Sequence, residues 1–122
     1  MSEIIKFFKS FKFAFAGIFE AFKSEKNVKF HYFAALCVLI LSFILKLSIT
    51  QWCIIIMTIC LVISVEMINT SIEKLCNVVC KDSNEFIKKV KDISAGSVLV
   101  VSIAACIVGI LIFGSRILDY LY

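Results

Sequence analysis

The sequence contains no proline and only four glycines in 122 residues. These two residue types most often interrupt regular structure, so their scarcity favours long, unbroken helices. Charged residues make up only 18% of the chain, whereas 61% of it is hydrophobic and the mean hydropathy is +1.03. An ordinary soluble domain is about 45–50% apolar and about 25% charged. The composition therefore excludes a soluble domain, a disordered tail and a collagen-like repeat, and it predicts an all-helical integral membrane protein.

The chain has one histidine, and four of its six cysteines lie inside apolar runs. Cysteines in such runs act as small apolar residues, so we expect no disulfide scaffold. A zinc site of cysteine and histidine lacks the further ligands that it would need. Basic residues exceed acidic ones by 13 to 9 but form no separate basic face, so nucleic acid is not an expected partner.

Three apolar stretches are long enough to cross a membrane, for which about 20 residues are needed. They cover residues 31–47, 49–70 and 93–114 of a single domain that comprises residues 1–122. The first stretch contains Lys46, whose ammonium group we expect to reach the interface. The connection after it is short, so the first two helices should form an antiparallel hairpin, with Trp52 marking its outer interface.

The distribution of the lysines predicts how the chain is oriented across the membrane. One lysine lies in the hairpin, six precede the first span and five lie between the second and third spans. By the positive-inside rule the amino terminus and the second connection are cytoplasmic, and the carboxyl terminus is outside. The first 30 residues carry charge throughout, which argues against a signal peptide. Their phenylalanines recur at helical spacing, which predicts an amphipathic helix lying on the membrane surface.

One polar stripe lies at the cytoplasmic end of the second span. It occupies about a third of the helix circumference and consists of Glu66, Asn69, Thr70, Glu73 and Asn77. A carboxylate at the edge of the hydrocarbon is costly, so Glu66 is expected to be functional. Glu73 lies two turns away on the same face, where it is suited to hold Mg²⁺. The lysines that precede the third span are either phosphate ligands or simple positive-inside residues.

Two motifs carry a family resemblance. The run Glu66-x-x-Asn69-Thr70-x-Ile72-Glu73, followed by Lys91-Asp92-Ile93-Ser94-Ala95-Gly96, resembles the prokaryotic diacylglycerol kinase family, which includes undecaprenol kinases. The amino-terminal run Gly17-Ile18-x-x-Ala21-Phe22-x-x-Glu25-x-Asn27-x-x-x-His31 also resembles that family. Together they cover nearly the whole chain. The absence of a glycine-rich Walker loop argues only against a soluble nucleotide-binding fold.

The resemblance implies a homotrimeric lipid kinase in a bacterial cell membrane, with ATP and Mg²⁺ bound on the cytoplasmic side and sites shared between subunits. By position, Glu66 would be the catalytic base, Glu25 and Glu73 would hold Mg²⁺, and Asn69 would support the site. The implied nucleotide contacts are Lys91 and Asp92, with Lys6 and Phe13 nearby. Asn77 departs from the aspartate that the family usually has at this position.

Four functions remain open from the sequence. The Asn27 and His31 pattern resembles the branch that phosphorylates undecaprenol to undecaprenyl phosphate, and diacylglycerol kinase is the alternative. A small proton-coupled transporter also uses a membrane-embedded acid, although it would place that acid near the midplane. A structural or pore-forming protein would leave the polar stripe incidental.

Overall fold

A computed structural model of the chain describes residues 2–24, 26–80 and 84–122. It contains the helices α1 (Ser2–Ser24), α2 (Lys26–Ile44), α3 (Ile49–Val79) and α4 (Glu85–Leu121). Every regular element in the described ranges is a helix, which confirms the expected all-helical fold. Helices α2, α3 and α4 are each long and apolar enough to cross a membrane, as the three apolar stretches predict.

Helices α3 and α4 are longer than a bilayer requires. Their 31 and 37 residues extend about 46 Å and 55 Å, whereas the hydrocarbon core is about 30 Å thick. The stretches 49–70 and 93–114 are therefore parts of longer helices. Since α3 continues to Val79 and α4 begins at Glu85, both helices have extra turns at the same end of the bundle, where the polar stripe ends.

The turn after α2 begins before the end of the apolar stretch 31–47. Helix α2 ends at Ile44, and Lys46 has a φ of 54°, a left-handed conformation that glycine usually supplies. The Lys46 N–H donates to the Phe43 carbonyl, and the Leu47 N–H donates to the Ser42 carbonyl, both at 3.3 Å. These two bonds form a Schellman motif, which satisfies carbonyls at the helix end and ends the helix at this point.

Helix α3 starts with a capping box. The Gln51 N–H donates to Ser48 Oγ at 3.2 Å, and the Ser48 N–H donates to Gln51 Oε1 at 3.0 Å. Helix α4 braces the same turn, because Arg116 Nη2 donates to the Lys46 carbonyl at 2.7 Å and Arg116 Nε donates to the Leu45 carbonyl at 3.0 Å. A cation beside the carbonyls at the carboxyl end of a helix also interacts favourably with the helix dipole. All three long helices are thus fastened together at the hairpin end.

A cluster of buried apolar residues lies at this end too. It consists of Leu47, Ile55 and Ile112, and the rings of Phe43 and Trp52 pack edge to face at 4.9 Å beside it. Many large apolar side chains elsewhere on the three long helices are exposed, as expected for surfaces that face lipid. All six cysteines lie in the described ranges and none forms a disulfide.

The amino-terminal segment 1–30 contains two helices, because α1 ends at Ser24 and α2 begins at Lys26. The second half of α1 contacts the rest of the chain. Lys74 Nζ on α3 lies 3.3 Å from Glu20 Oε1, and the rings of Phe22 and Tyr32 pack edge to face at 5.3 Å. The remaining phenylalanines of α1 are exposed, so one end of α1 is anchored to α2 and α3.

Candidate active site

The polar stripe on α3 is buried at one end and exposed at the other. Glu66, Asn69 and Thr70 are buried, Glu73 is half-buried and Asn77 is exposed. Their helical spacing brings them onto one face, and α4 packs on α3 more extensively than any other helix does. The Thr70 hydroxyl donates to the Glu66 backbone carbonyl at 3.0 Å. The stripe therefore leads from a buried carboxylate towards water over three helical turns.

Glu66 is the most buried charged residue among the described residues, with 2% of the surface of the whole residue exposed. Its Oε2 lies 3.6 Å from Nε2 of His31, which projects from α2. A carboxylate in this position is expensive unless polar groups compensate for the lost water, and the imidazole is one such group. The site therefore includes α2 as well as α3 and α4.

Asn69 connects α3 to α4. Its Oδ1 accepts a buried hydrogen bond of 2.7 Å from the Ser94 hydroxyl on α4, and its Nδ2 lies 3.5 Å from Glu73 Oε1. The serine can only donate to the amide oxygen, so the amide N–H₂ group is directed towards Glu73. Asn69 therefore links the half-buried Glu73 carboxylate on α3 to the adjacent helix α4.

Lys91 on α4 reaches across to the end of the stripe. Its Nζ donates to Asn77 Oδ1 at 2.7 Å, so the cationic group stands beside α3 next to the turn that carries Glu73. Asp92 points to a neighbour on its own helix, since its Oδ2 lies 3.0 Å from Lys88 Nζ. The structure thus brings Lys91 to the polar stripe, whereas Asp92 forms an exposed pair beside it.

The remaining predicted residues lie towards the amino terminus. Lys6 and Phe13 are on α1 with exposed side chains, and Phe13 has 72% of its surface exposed. Glu25 lies outside the described residues.

Mg²⁺ is usually held by one or two carboxylates together with substrate phosphates. Glu73 offers hard carboxylate oxygens at the half-buried part of the stripe, with the cationic Lys91 anchored nearby on Asn77. Over the described ranges, no three histidine, cysteine, aspartate or glutamate side chains gather as a caged ion would require. This donor set suits an ion that arrives with its nucleotide.

An apolar groove of about 600 Å³ runs along α2, α3 and α4 beside the buried end of the stripe. His31 and Ala34 line one end, and Leu41 and Phe113 line the other. Leu41 lies ten positions after His31 on α2, which makes the groove about 15 Å long. Such a groove accommodates a hydrocarbon chain, and its His31 end adjoins the Glu66 carboxylate.

The sequence pattern of the prokaryotic diacylglycerol kinases matches residues 12–113. The chain belongs to this family. It is 41% identical to the undecaprenol kinase of Bacillus subtilis over 112 residues, which cover 92% of this chain and 91% of that protein. It is 36% identical to the diacylglycerol kinase of Synechocystis over 101 residues, which cover 82% of this chain and 58% of that protein.

Family membership makes this chain a lipid kinase, which takes a phosphoryl group from ATP and transfers it to a lipid acceptor. The resemblance drawn from the two motifs is confirmed. The kinase assignment also replaces the transporter and the pore-forming protein, which the sequence alone left open.

Two residues of the site were missed by sequence reasoning. In the sequence, Ser94 is only one position of the motif that begins at Lys91, and His31 is only a marker of the family branch. Ser94 lies three residues after Lys91, so helical spacing indicated that it shares a face with a predicted site residue. Nothing in the sequence indicated that His31 meets Glu66, because that contact depends on how α2 packs against α3.

Proposed function

We propose that this protein is an undecaprenol kinase, which transfers the γ-phosphate of ATP to the hydroxyl of undecaprenol and yields undecaprenyl phosphate. The observation that carries the proposal is the buried Glu66 carboxylate beside the end of an apolar groove. The identity of 41% to an undecaprenol kinase over 92% of the chain supports this lipid alcohol as the acceptor.

Glu66 acts as the general base. Its carboxylate accepts the hydroxyl proton while the lipid oxygen bonds to the γ-phosphorus in line with the leaving group. The bond from that phosphorus to the bridging oxygen breaks, and ADP leaves with the electron pair. The lipid chain in the groove would bring its hydroxyl to His31 and Glu66 and leave the phosphates towards the exposed part of the stripe. General-base catalysis typically contributes about 10²- to 10⁴-fold.

The exposed part of the stripe binds the nucleotide. Glu73 and Glu25 would hold Mg²⁺, which when bound offsets the negative charge on the phosphates. Lys91 supplies a cation from α4, and Asp92 lies beside it. Asn69 holds Glu73 in position through the Ser94 bond. Lys6 and Phe13 of α1 complete the nucleotide contacts.

The assembly follows from the same chemistry. ATP is cytoplasmic, so the stripe, the amino terminus and the α3–α4 connection lie on the cytoplasmic side of the cell membrane, and the carboxyl terminus lies outside. Helix α1 lies in the membrane surface, with its exposed phenylalanines in the interface. Three such chains form a homotrimer with shared sites, in which neighbouring subunits cover part of the exposed apolar surface.

Diacylglycerol kinase is the second candidate, because the Synechocystis relative carries that name and is 36% identical. A diacylglycerol differs from undecaprenol in having two chains and a polar glycerol backbone. The narrow extent of the groove along α2, α3 and α4, about 15 Å, suits one hydrocarbon chain, which favours the polyprenyl alcohol.

A competition assay tests the function. Vesicles that contain undecaprenol and dioleoylglycerol at equal mole fractions receive the purified protein, Mg²⁺ and ATP labelled at the γ-phosphate, and the lipids are then separated. We expect label mainly in undecaprenyl phosphate, and Glu66→Gln should lower it by about 10²- to 10⁴-fold while nucleotide binding persists. Label mainly in phosphatidic acid would identify diacylglycerol as the preferred substrate. If neither lipid is labelled, the proposed function is wrong.

A further inference from the structure

His31 is the residue that belongs to both parts of the site. Its imidazole lines the end of the apolar groove, and its Nε2 lies 3.6 Å from Glu66 Oε2. The side chain of His31 is 17% exposed, whereas that of Glu66 is 3% exposed. The imidazole therefore adjoins both the buried carboxylate and the end of the groove in which the lipid would lie.

The separation of 3.6 Å is an ion-pair distance and longer than a good hydrogen bond. Hydrogen bonds within active sites are often long before substrate binds and shorten in the reactive complex. An imidazole Nε2–H donates in both the corresponding neutral tautomer and the imidazolium form. A donor on Oε2 restrains rotation of the carboxylate and so limits the orientations that it can adopt.

We propose that His31 is a positioning residue for Glu66, whose Nε2–H holds the carboxylate so that one oxygen faces the lipid hydroxyl at the end of the groove. The role rests on the proposed function of Glu66 as the base. It assigns to α2 a part in the chemistry, and it makes His31 act through Glu66 rather than through the nucleotide.

The kinetic test compares two substitutions. His31→Leu removes the donor, and His31→Gln keeps an N–H group at nearly the same distance from the backbone. We expect His31→Leu to lower kcat by roughly 10- to 100-fold, because misorientation of a catalytic group costs about that much, with the KM for ATP unchanged. His31→Gln should restore most of the loss. Tyr32→Phe is the matched control, since Tyr32 is the neighbouring half-buried residue of α2 and its ring contact with Phe22 survives.

A double substitution separates positioning from general damage. In a Glu66→Gln background, His31→Leu should cause no further loss, because the residue acts through the carboxylate. A wild-type kcat for His31→Leu, an equal loss for His31→Gln, or an additional loss in the Glu66→Gln background would each overturn the proposal.

The second measurement does not depend on activity or on the folding of a His31 variant. His31 is the only histidine of the chain, so its ring ¹⁵N signals are unambiguous in protein labelled at histidine and held in lipid nanodiscs. Glu66→Gln should move the Nε2 signal, and Glu20→Gln, at an exposed carboxylate on α1, should leave it in place. An Nε2 signal unmoved by Glu66→Gln would overturn the contact. Two outcomes separate this proposal from the proposed function. If Glu66→Gln impairs lipid phosphorylation but the His31 tests give the overturning results stated above, only the role of His31 fails. If Glu66→Gln is as active as the wild type, Glu66 is not the base.

Discussion

Ser94 Oγ on α4 donates a hydrogen bond of 2.7 Å to Asn69 Oδ1 on α3, and both residues are buried. The bond settles which end of the amide faces which neighbour, so that Nδ2 is directed to Glu73 Oε1 at 3.5 Å. A hydroxyl group on one helix thereby orients the surroundings of a carboxylate on another. The α3–α4 packing is thus part of the candidate active site as well as part of the fold.

Removal of this hydroxyl should impair both stability and catalysis. Ser94→Ala leaves the buried Asn69 oxygen without its donor, which costs about 1–3 kcal/mol, and frees the amide to rotate away from Glu73. We expect a lower unfolding temperature and a several-fold higher Mg²⁺ requirement. Ser94→Thr keeps the hydroxyl and should retain more activity. Ser97→Ala is the control, because the Ser97 hydroxyl donates within α4, to the Ser94 carbonyl. If both alanine substitutions had the same effect, the role of the Ser94–Asn69 bond would be contradicted.

The helical fold was predictable because its determinants are local. Long apolar runs without proline allow few structures other than membrane helices, and the 3.6-residue period placed Glu66, Asn69 and Glu73 on one face before any packing was known. The residue at which α2 ends was harder to predict from the sequence. Lys46 adopts a left-handed conformation that glycine usually supplies, and Arg116, about 70 residues later, stabilises the turn. A sequence window contains no sign of such a partner.

The partners of the site residues were also beyond the sequence. The His31–Glu66 and Ser94–Asn69 contacts join residues that are 35 and 25 positions apart, and each depends on the rotation of one helix against another. Helical periodicity fixes the face of each helix but not its neighbour. The carboxylates themselves were identifiable from the sequence, because placing a carboxylate in an apolar stretch costs free energy and therefore indicates a function.

The magnesium assignment predicts a shift in metal dependence. Glu73→Gln and Glu25→Gln each remove a hard oxygen ligand, so the Mg²⁺ concentration for half-maximal rate should rise by roughly tenfold or more. Excess Mg²⁺ should partly rescue both variants. Glu20→Gln, which removes an exposed carboxylate paired with Lys74, serves as the control and should leave the Mg²⁺ dependence unchanged. Unaltered Mg²⁺ dependence in both test variants would refute the assignment.

The contact between Asn77 and Lys91 leads to a prediction about the strength of nucleotide binding. It accepts a hydrogen bond of 2.7 Å from Lys91 without neutralising the ammonium charge, whereas Asn77→Asp would form an ion pair with it. An exposed ion pair is worth at most about 1 kcal/mol, so the KM for ATP should rise by roughly two- to fivefold with little change in kcat. Asn77→Gln, which stays neutral, should show a smaller effect. If Asn77→Asp bound ATP as tightly as the wild type, Lys91 would not be a phosphate contact.

The proposed orientation predicts which positions react from outside the cell. In a cysteine-free background, single cysteines at Ile49 and Leu121 should be labelled by an impermeant maleimide applied to whole cells. Cysteines at Lys9 and Glu85 should react only after the membrane is permeabilised. All four positions have exposed side chains, so the protein itself does not hide them. External labelling at Glu85 would place the polar stripe on the side where ATP is absent.

The shared-site homotrimer predicts complementation between variant subunits, measured at a Mg²⁺ concentration too low for Glu25→Gln to be active alone. If α3 of one subunit works with Glu25 of a neighbour, mixing Glu66→Gln and Glu25→Gln chains creates some sites with both residues intact. In a closed ring with random mixing at equal amounts, about a quarter of the sites have this composition, so about a quarter of wild-type activity should return. Glu66→Gln mixed with Glu73→Gln is the matched control: both residues lie on α3 of the same chain, so no site regains both. Mixed trimers that form, as shown by co-purification of differently tagged subunits, and yet stay inactive would mean that each site draws all its catalytic residues from one chain.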